Sequence, residues 1–249
     1  MTRQLALQLQ LRASARFAGY VAGPNEELLR QLQAVASGRG ESFVYCQGVS
    51  GTGKTHLLQA SCHAATEQGR TAAYLSLKQI NDMPPAVLEG WEHFDLVCLD
   101  DIEHITARPD WEEAVFHLYN RVREQGSRLV VSAVRAPAQL EINLADLVSR
   151  LSWGVVYPIH SLDDAQRCKA MQLRASQKGC ELPDETANYL LRRLPRELSA
   201  LFDTLDRLDD ASLAAQRKLT VPFVKSVLNN LGSNLGLIWG QSKNSGSSD

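Results

Sequence analysis

No stretch of this chain stays apolar for the roughly 20 residues that a membrane-spanning helix needs. Its N-terminus, MTRQLALQLQLR, interrupts its leucines with glutamines where a signal peptide is continuously apolar. A soluble, cytoplasmic protein with no membrane partner is expected. A charge excess of one sign is also missing: 26 basic against 28 acidic residues leave a formal net charge of −2. There is thus no global electrostatic basis for strong, direct binding to nucleic acid. The five cysteines, Cys46, Cys62, Cys98, Cys168 and Cys180, form no CxxC pair and are odd in number, so they read as reduced core residues and not as disulfides or metal ligands. The six histidines make no HExxH or comparable cluster, and zinc is not indicated. The sequence shows no internal repeat.

What is present is enough apolar material, 44% of 249 residues, for one large domain or two smaller ones. Gly48 to Thr55 reads GVSGTGKT, the phosphate-loop pattern GxxxxGK[ST]. A strand-like run, Phe43 to Cys46, precedes it, and a helix-like run from Lys54 through His63 follows. In such a loop the glycines let successive backbone N–H groups turn toward phosphate oxygens; the lysine, Lys54, adds a cation and Thr55 a hydroxyl for Mg²⁺.

From about Phe43 to Pro158, short β-branched runs alternate with helical patterns. Strands are expected at Phe43 to Cys46, Thr71 to Ser76, Leu96 to Leu99, Arg128 to Ser132 and Val155 to Ile159. Between them Trp111, Val115, Leu118 and Val122 recur at helical spacing, and Gly126 stops that helix. Alternation of this kind predicts βαβ units around a buried parallel sheet. After Ser161 only helices are predicted: about Asp163 to Lys178, Pro183 to Leu194, Pro195 to Ala211 and Val221 to Leu231. The reading is an α/β nucleotide-binding domain with a small helical domain appended, and a Ser/Gly/Asn-rich tail, Gln241 to Asp249, outside both.

Further positions carry possible chemistry. The apolar run Leu96 to Leu99 ends in Asp100 and Asp101; in phosphate-loop proteins an Asp there holds the Mg²⁺ shell, and a neighbouring carboxylate orients the attacking water. The bland alternative is a strand leaving into an acidic turn. Ser132, at the end of another buried run, is either a phosphate-sensing hydroxyl or an ordinary strand terminator. Arg150 ends an apolar helix in DLVSRLSWG, where, taken alone, a surface salt bridge is the favoured explanation. Arg196 follows Pro195 in an expected first helical turn; a cation there opposes the helix dipole and is expected to meet a phosphate, or nearby Glu197. Leu5, Leu7, Leu9 and Leu11 alternate with Gln4, Ala6, Gln8 and Gln10, as in an edge strand or an extended tail docking into another protein's groove.

Taken together these residues resemble the AAA+ ATPases of the DnaA family, and within it especially the regulatory Hda branch. DLVSRLSWG, LPRELSALFDTLDRLD and SLAAQRKLTVPFVKSVL carry the likeness. It implies an AAA+ P-loop parallel-sheet domain followed by an all-helical lid: a clamp-binding tail over 1–12, the α/β domain over 13–161, the lid over 162–231 and a flexible tail over 232–249. By resemblance the nucleotide-binding residues are Val21, Gly23, Gly48, Ser50, Gly51, Thr52, Gly53, Lys54, Thr55, His56, Ser132 and Arg196, within which FAGYVAGPN, Phe17 to Asn25, faces the base. Asp101 and the arginine finger Arg150 are catalytic, and Thr55 with Asp100 holds Mg²⁺. Gln4, Leu5, Leu7 and Leu9 form the peptide that binds the sliding clamp of DNA polymerase.

The resemblance also implies ADP, or another nucleoside di- or triphosphate, with Mg²⁺ as ligands; weak intrinsic ATPase at most; the initiator DnaA as partner; DNA reached indirectly through the clamp; and a possible homo-oligomer. No helix-turn-helix domain of the initiator type follows the lid, so a negative regulator of replication initiation is expected. The alternatives are an autonomous AAA+ ATPase or helicase-loader-like motor and a P-loop small-molecule kinase. Neither predicts the leucine-rich N-terminal peptide.

Overall fold

A computed structural model describes residues 11–81 and 83–235. The chain divides into two compact units after Leu162. The first is built on five parallel strands: β1 Phe43–Gln47, β2 Ala72–Ser76, β3 Leu96–Asp100, β4 Arg128–Ala133 and β5 Val155–Pro158, in the order β2-β3-β4-β1-β5. Side chains alternate across a strand, so each strand feeds two cores. One face, with Tyr45, Leu75, Val97, Leu99, Leu129 and Val131, packs against Trp111, Val115, Leu118 and Val122 of α3 (Pro109–Gln125) and Leu147 and Leu151 of α4 (Ala145–Ser152). The other face, with Val44, Cys46, Leu96, Cys98 and Val130, packs against Leu28 and Leu32 of α1 (Glu26–Ala36) and Leu57, Leu58 and Cys62 of α2 (Lys54–Glu67). With apolar residues required on both faces, the strands read as continuous hydrophobic runs. Gly126 closes α3 at φ 71°, its N–H bonded to the Arg123 carbonyl.

The second unit contains α5 Asp164–Gln177, α6 Asp184–Arg193, α7 Leu198–Ala215 and α8 Val221–Leu235. Asp163 and Gln166 exchange side-chain-to-backbone hydrogen bonds of 2.8 and 3.0 Å, a capping box that starts α5. Met171, Leu190, Leu201, Leu205, Leu208 and Phe223 form its core.

The start of α7 departs from expectation. Leu194 adopts the extended conformation that a following proline favours, φ −108° and ψ 159°, and Pro195, Arg196 and Glu197 all lie before the helix. Arg196 therefore does not sit in a helical first turn, and the unfavourable dipole interaction expected of it does not arise. At its other end α7 runs four residues past the expected Ala211, to Ala215, where Gln216 turns left-handed at φ 51°.

All five cysteines are free, with Cys46, Cys62 and Cys98 buried. Among the described residues no helix is long and apolar enough to cross a membrane. The clamp-peptide residues Gln4, Leu5, Leu7 and Leu9, and the C-terminal tail, lie outside the described residues.

Candidate functional site

The C-terminal edge of the parallel strands, where open α/β sheets place their ligands, brings the motif residues together. Strand β1 ends at Gln47, and the loop Gly48 to Gly53 turns from it into α2. Gly48 N–H bonds to the Ala133 carbonyl at 3.0 Å, so the loop starts anchored to β4. Gly53 caps α2 at φ 95°, and a β-carbon there would meet the Tyr20 ring at 2.9 Å. Only glycine combines that dihedral with that approach. Val49 and Ser50 are exposed at the loop tip while Thr52 is buried, its hydroxyl donating to the Val49 carbonyl at 2.9 Å. The loop leads into the N-terminus of a 14-residue helix, where unpaired N–H groups favour an anion. Lys54 is buried, and its ammonium donates to the Gly48 carbonyl at 2.8 Å and the Val49 carbonyl at 3.4 Å.

Asp100 ends β3 fully buried and accepts three hydroxyls. Thr55 donates to Oδ2 at 2.6 Å, Tyr74 donates to Oδ2 at 2.8 Å, and Ser132 donates to Oδ1. The Ser132 hydroxyl in turn accepts the Asp101 N–H at 3.0 Å. Sheet register explains the convergence: Ser76 pairs with Asp100 and Cys46 with Ser132, so all these groups reach the same edge. Asp101 takes the left-handed conformation at φ 59°, one that a short polar side chain tolerates best among non-glycine residues. Burial, then the charges of Asp100 and Glu103, raise its carboxyl above the ordinary aspartate value, against the pull of Lys54 and His104. A carboxylate held reluctantly ionised beside a phosphate loop suits proton acceptance.

The Thr55 hydroxyl and the Asp100 carboxylate present adjacent hard oxygens, the donor set Mg²⁺ uses when phosphate and water complete its shell. Among the described residues no cluster of three His, Cys, Asp or Glu could hold a metal by itself. These residues thus fit a cation that arrives with a phosphate.

The segment expected to face a base also borders the loop. Val21 lies between two short 3₁₀ turns, Phe17–Gly19 and Gly23–Asn25, and Gly23 opens the second. Asn25 clips this segment to the residue pair after β5: its amide donates to the His160 carbonyl at 3.0 Å and accepts the His160 N–H at 2.8 Å. Tyr20 stacks on His56, ring centroids 5.8 Å apart, and burial pushes its phenol up to about 12. His56 Nε2 lies 2.9 Å from the Arg16 carbonyl.

Family models match the chain in two consecutive stretches: the bacterial DnaA ATPase domain over residues 11–158 and the Hda lid domain over residues 164–228. The chain belongs to the DnaA/Hda family of AAA+ proteins. Solved structures share its fold. Domain III of the Thermotoga maritima replication initiation protein DnaA is 22% identical at a TM-score of 0.77, over 88% of this chain and 97% of that one. AMPPCP-bound DnaA from Aquifex aeolicus is 23% identical at 0.67, over 80% and 66%. A Thermotoga maritima RuvB variant is 17% identical at 0.63, over 87% and 74%.

Two arginines were also expected in this DnaA/Hda-family site, one in each unit. Arg150 is in the last turn of α4, half-buried and paired with no carboxylate among the described residues; its guanidinium lies over the Trp153 ring, 5.1 Å from the centroid. Arg196 is exposed and ion-paired with Asp164 at 3.3 Å, not with the Glu197 the sequence had offered. Tyr74, Asn25 and Glu112, which sequence reasoning missed, hold parts of this unit in place by hydrogen bonds. Glu112, buried on α3, accepts the Asn143 and Leu144 N–H groups at 3.0 and 2.9 Å and so anchors the start of α4. A cavity of about 190 Å³ lies at the opposite, N-terminal end of β1 and β4, away from the Asp100 cluster, with Phe43, Tyr119, Arg123, Trp153 and Gly154 in its lining.

Proposed function

We propose that this protein is a negative regulator of DNA replication initiation. In this reading a nucleotide, ADP by expectation, occupies the Gly48–Thr55 loop, and the N-terminal peptide Gln4 to Leu9 tethers the chain to the polymerase sliding clamp. Arg150 is then presented in trans to ATP bound by the DnaA initiator. The observation that carries the reading is Arg150 itself: a guanidinium at the end of an anchored helix, with no carboxylate neutralising it among the described residues. In phosphoryl transfer, charge spreads over the equatorial oxygens, and a preorganised guanidinium stabilises it. Such fingers contribute about 10³ to 10⁵ in rate, or roughly 4 to 7 kcal/mol. Clamp tethering raises effective concentration without new contacts to the initiator and confines the activity to replicating DNA in the cytoplasm.

Within the chain's own site, loop N–H groups and Lys54 would bind phosphate, Thr55 and Asp100 would hold Mg²⁺, and Asp101 and Ser132 would orient water. Magnesium bound there would neutralise phosphate charge. Arg196 is assigned as the second nucleotide sensor, and the units at 13–161 and 162–231 as nucleotide-binding domain and lid. The assembled Asp100, Asp101 and Ser132 cluster also favours a second reading, an autonomous ATPase.

ATP hydrolysis by the initiator, measured with this protein, clamp and DNA, separates the two. Native chain is expected to stimulate, Arg150→Ala to lose nearly all stimulation, and Gln4→Ala to require much higher concentration. If both variants stimulate like native, the regulator reading fails. Rapid turnover by the native chain alone would favour the motor.

A further inference from the structure

An arginine that acts on another molecule's phosphate must be held in place and yet keep its charge and its N–H donors available. A carboxylate partner would satisfy the first need and defeat the second, because the pair must break before phosphate can be engaged. In this chain Arg150 is held differently. Its guanidinium lies 5.1 Å from the Trp153 ring centroid, and the Arg123 guanidinium, arriving from the last turn of α3, lies 4.7 Å from the same centroid. The ring's negative face attracts a cation without neutralising it and leaves the in-plane donors open.

The Trp153 side chain is not core material: the residue is 62% exposed. Its backbone, by contrast, is fixed. The Trp153 N–H bonds to the Arg150 carbonyl at 3.1 Å, closing α4. The next residue, Gly154, packs so tightly that a β-carbon there would lie 2.0 Å from Phe43 Cδ1. Phe43 in turn meets Tyr119 edge-on at 5.1 Å. At its other end α4 is anchored by Glu112. An exposed tryptophan on a pinned backbone, shared by two cations that have no carboxylate partner among the described residues, is the arrangement expected of a support and not of a packing residue.

We propose that Trp153 is a positioning residue for Arg150, and that the Arg123, Trp153 and Arg150 stack sets the direction of the finger while preserving its charge. This rests on the trans-acting role of Arg150 argued above. The test measures stimulation of the initiator's ATPase by the full-length protein on clamp-loaded DNA, separating the maximal rate from the concentration giving half the maximum. Trp153→Leu, which keeps apolar bulk but removes the π face, is expected to lower the maximal rate about 10- to 100-fold, the scale set by small misplacements of a catalytic group. Its half-maximal concentration should stay within about twofold of native. Trp153→Phe is expected to restore most of the rate, and thermal unfolding of both should stay near native.

Native maximal stimulation by Trp153→Leu overturns the proposal. So does a change confined to the half-maximal concentration, which would make Trp153 a contact to the partner. A loss in Trp153→Leu that Trp153→Phe does not restore also overturns it. Arg150→Ala distinguishes the two levels: if it stimulates normally, the regulator reading itself is wrong; if it is inactive while Trp153→Leu is native, only the positioning role fails.

Discussion

Two acids, one in each unit of this chain, are satisfied in opposite ways. In the α/β unit Asp100 is fully buried and its carboxylate is satisfied by hydroxyls from Thr55, Tyr74 and Ser132, supplied by three different elements. In the helical unit Asp206 sits near the surface and meets Arg174 and Lys178, each at 2.9 Å. A carboxylate satisfied by neutral donors has no cation already beside it and is open to one, whereas one satisfied by cations is spent on its neighbours. The difference teaches where to look for chemistry: the enclosed acid is the poised one, and the well-paired acid holds helices together.

Three substitutions sharpen or break this contrast. The largest effect is expected from Asp100→Ala, which leaves three buried or half-buried hydroxyls without their acceptor; it should cost about 3 kcal/mol or more by denaturant unfolding. Asp206→Ala should cost well under half of that, and equal losses would dissolve the distinction. Next is Asp101→Asn, expected to stabilise the α/β unit by about 0.5 to 1 kcal/mol at neutral pH. The sign follows from its raised carboxyl: protons bind more tightly folded than unfolded, so ionisation opposes folding as pH rises above the ordinary value of 3.8. The gain should therefore be full at neutral pH and vanish below about pH 4. Asparagine also accepts the left-handed backbone at this position.

The smallest effect belongs to the helical unit. Burial pulls Asp206 upward, but hydrogen bonds and charge from Arg174 and Lys178 outweigh it and hold the carboxyl below the usual 3.8; the Asp206 bond raises Lys178 above 10.5. The stability they contribute should be lost as pH falls through the depressed Asp206 value and as it rises through the elevated Lys178 value. With both partners about one-third exposed, Asp206→Ala should cost no more than about 0.5 kcal/mol, less in high salt.

The fold was legible because each strand carries apolar residues on both faces, and because Gly126 and the alternation after Phe43 mark boundaries locally. The loop and Asp100 were legible for a related reason: eight consecutive residues encode the loop, and a strand end marks the acid. Tyr74, Asn25 and Glu112 were not. Their partners lie 26, 135 and about 31 residues away, and no local pattern distinguishes a tyrosine that caps an acid from one that fills a core. Arg196 was misplaced because Pro195 carries two opposed signals, a favoured first helical residue and an extended predecessor, and here the second prevails.

The grip of Lys54 on its own loop carries a further consequence. Any anion entering the loop meets an ammonium already engaged with the Gly48 and Val49 carbonyls, so uptake is an exchange of one charge-assisted bond for another. Most of that interaction energy cancels between the two states. The lysine then acts less as an attractor than as a toggle, letting the loop trade ligands without first paying the desolvation of a bare buried charge.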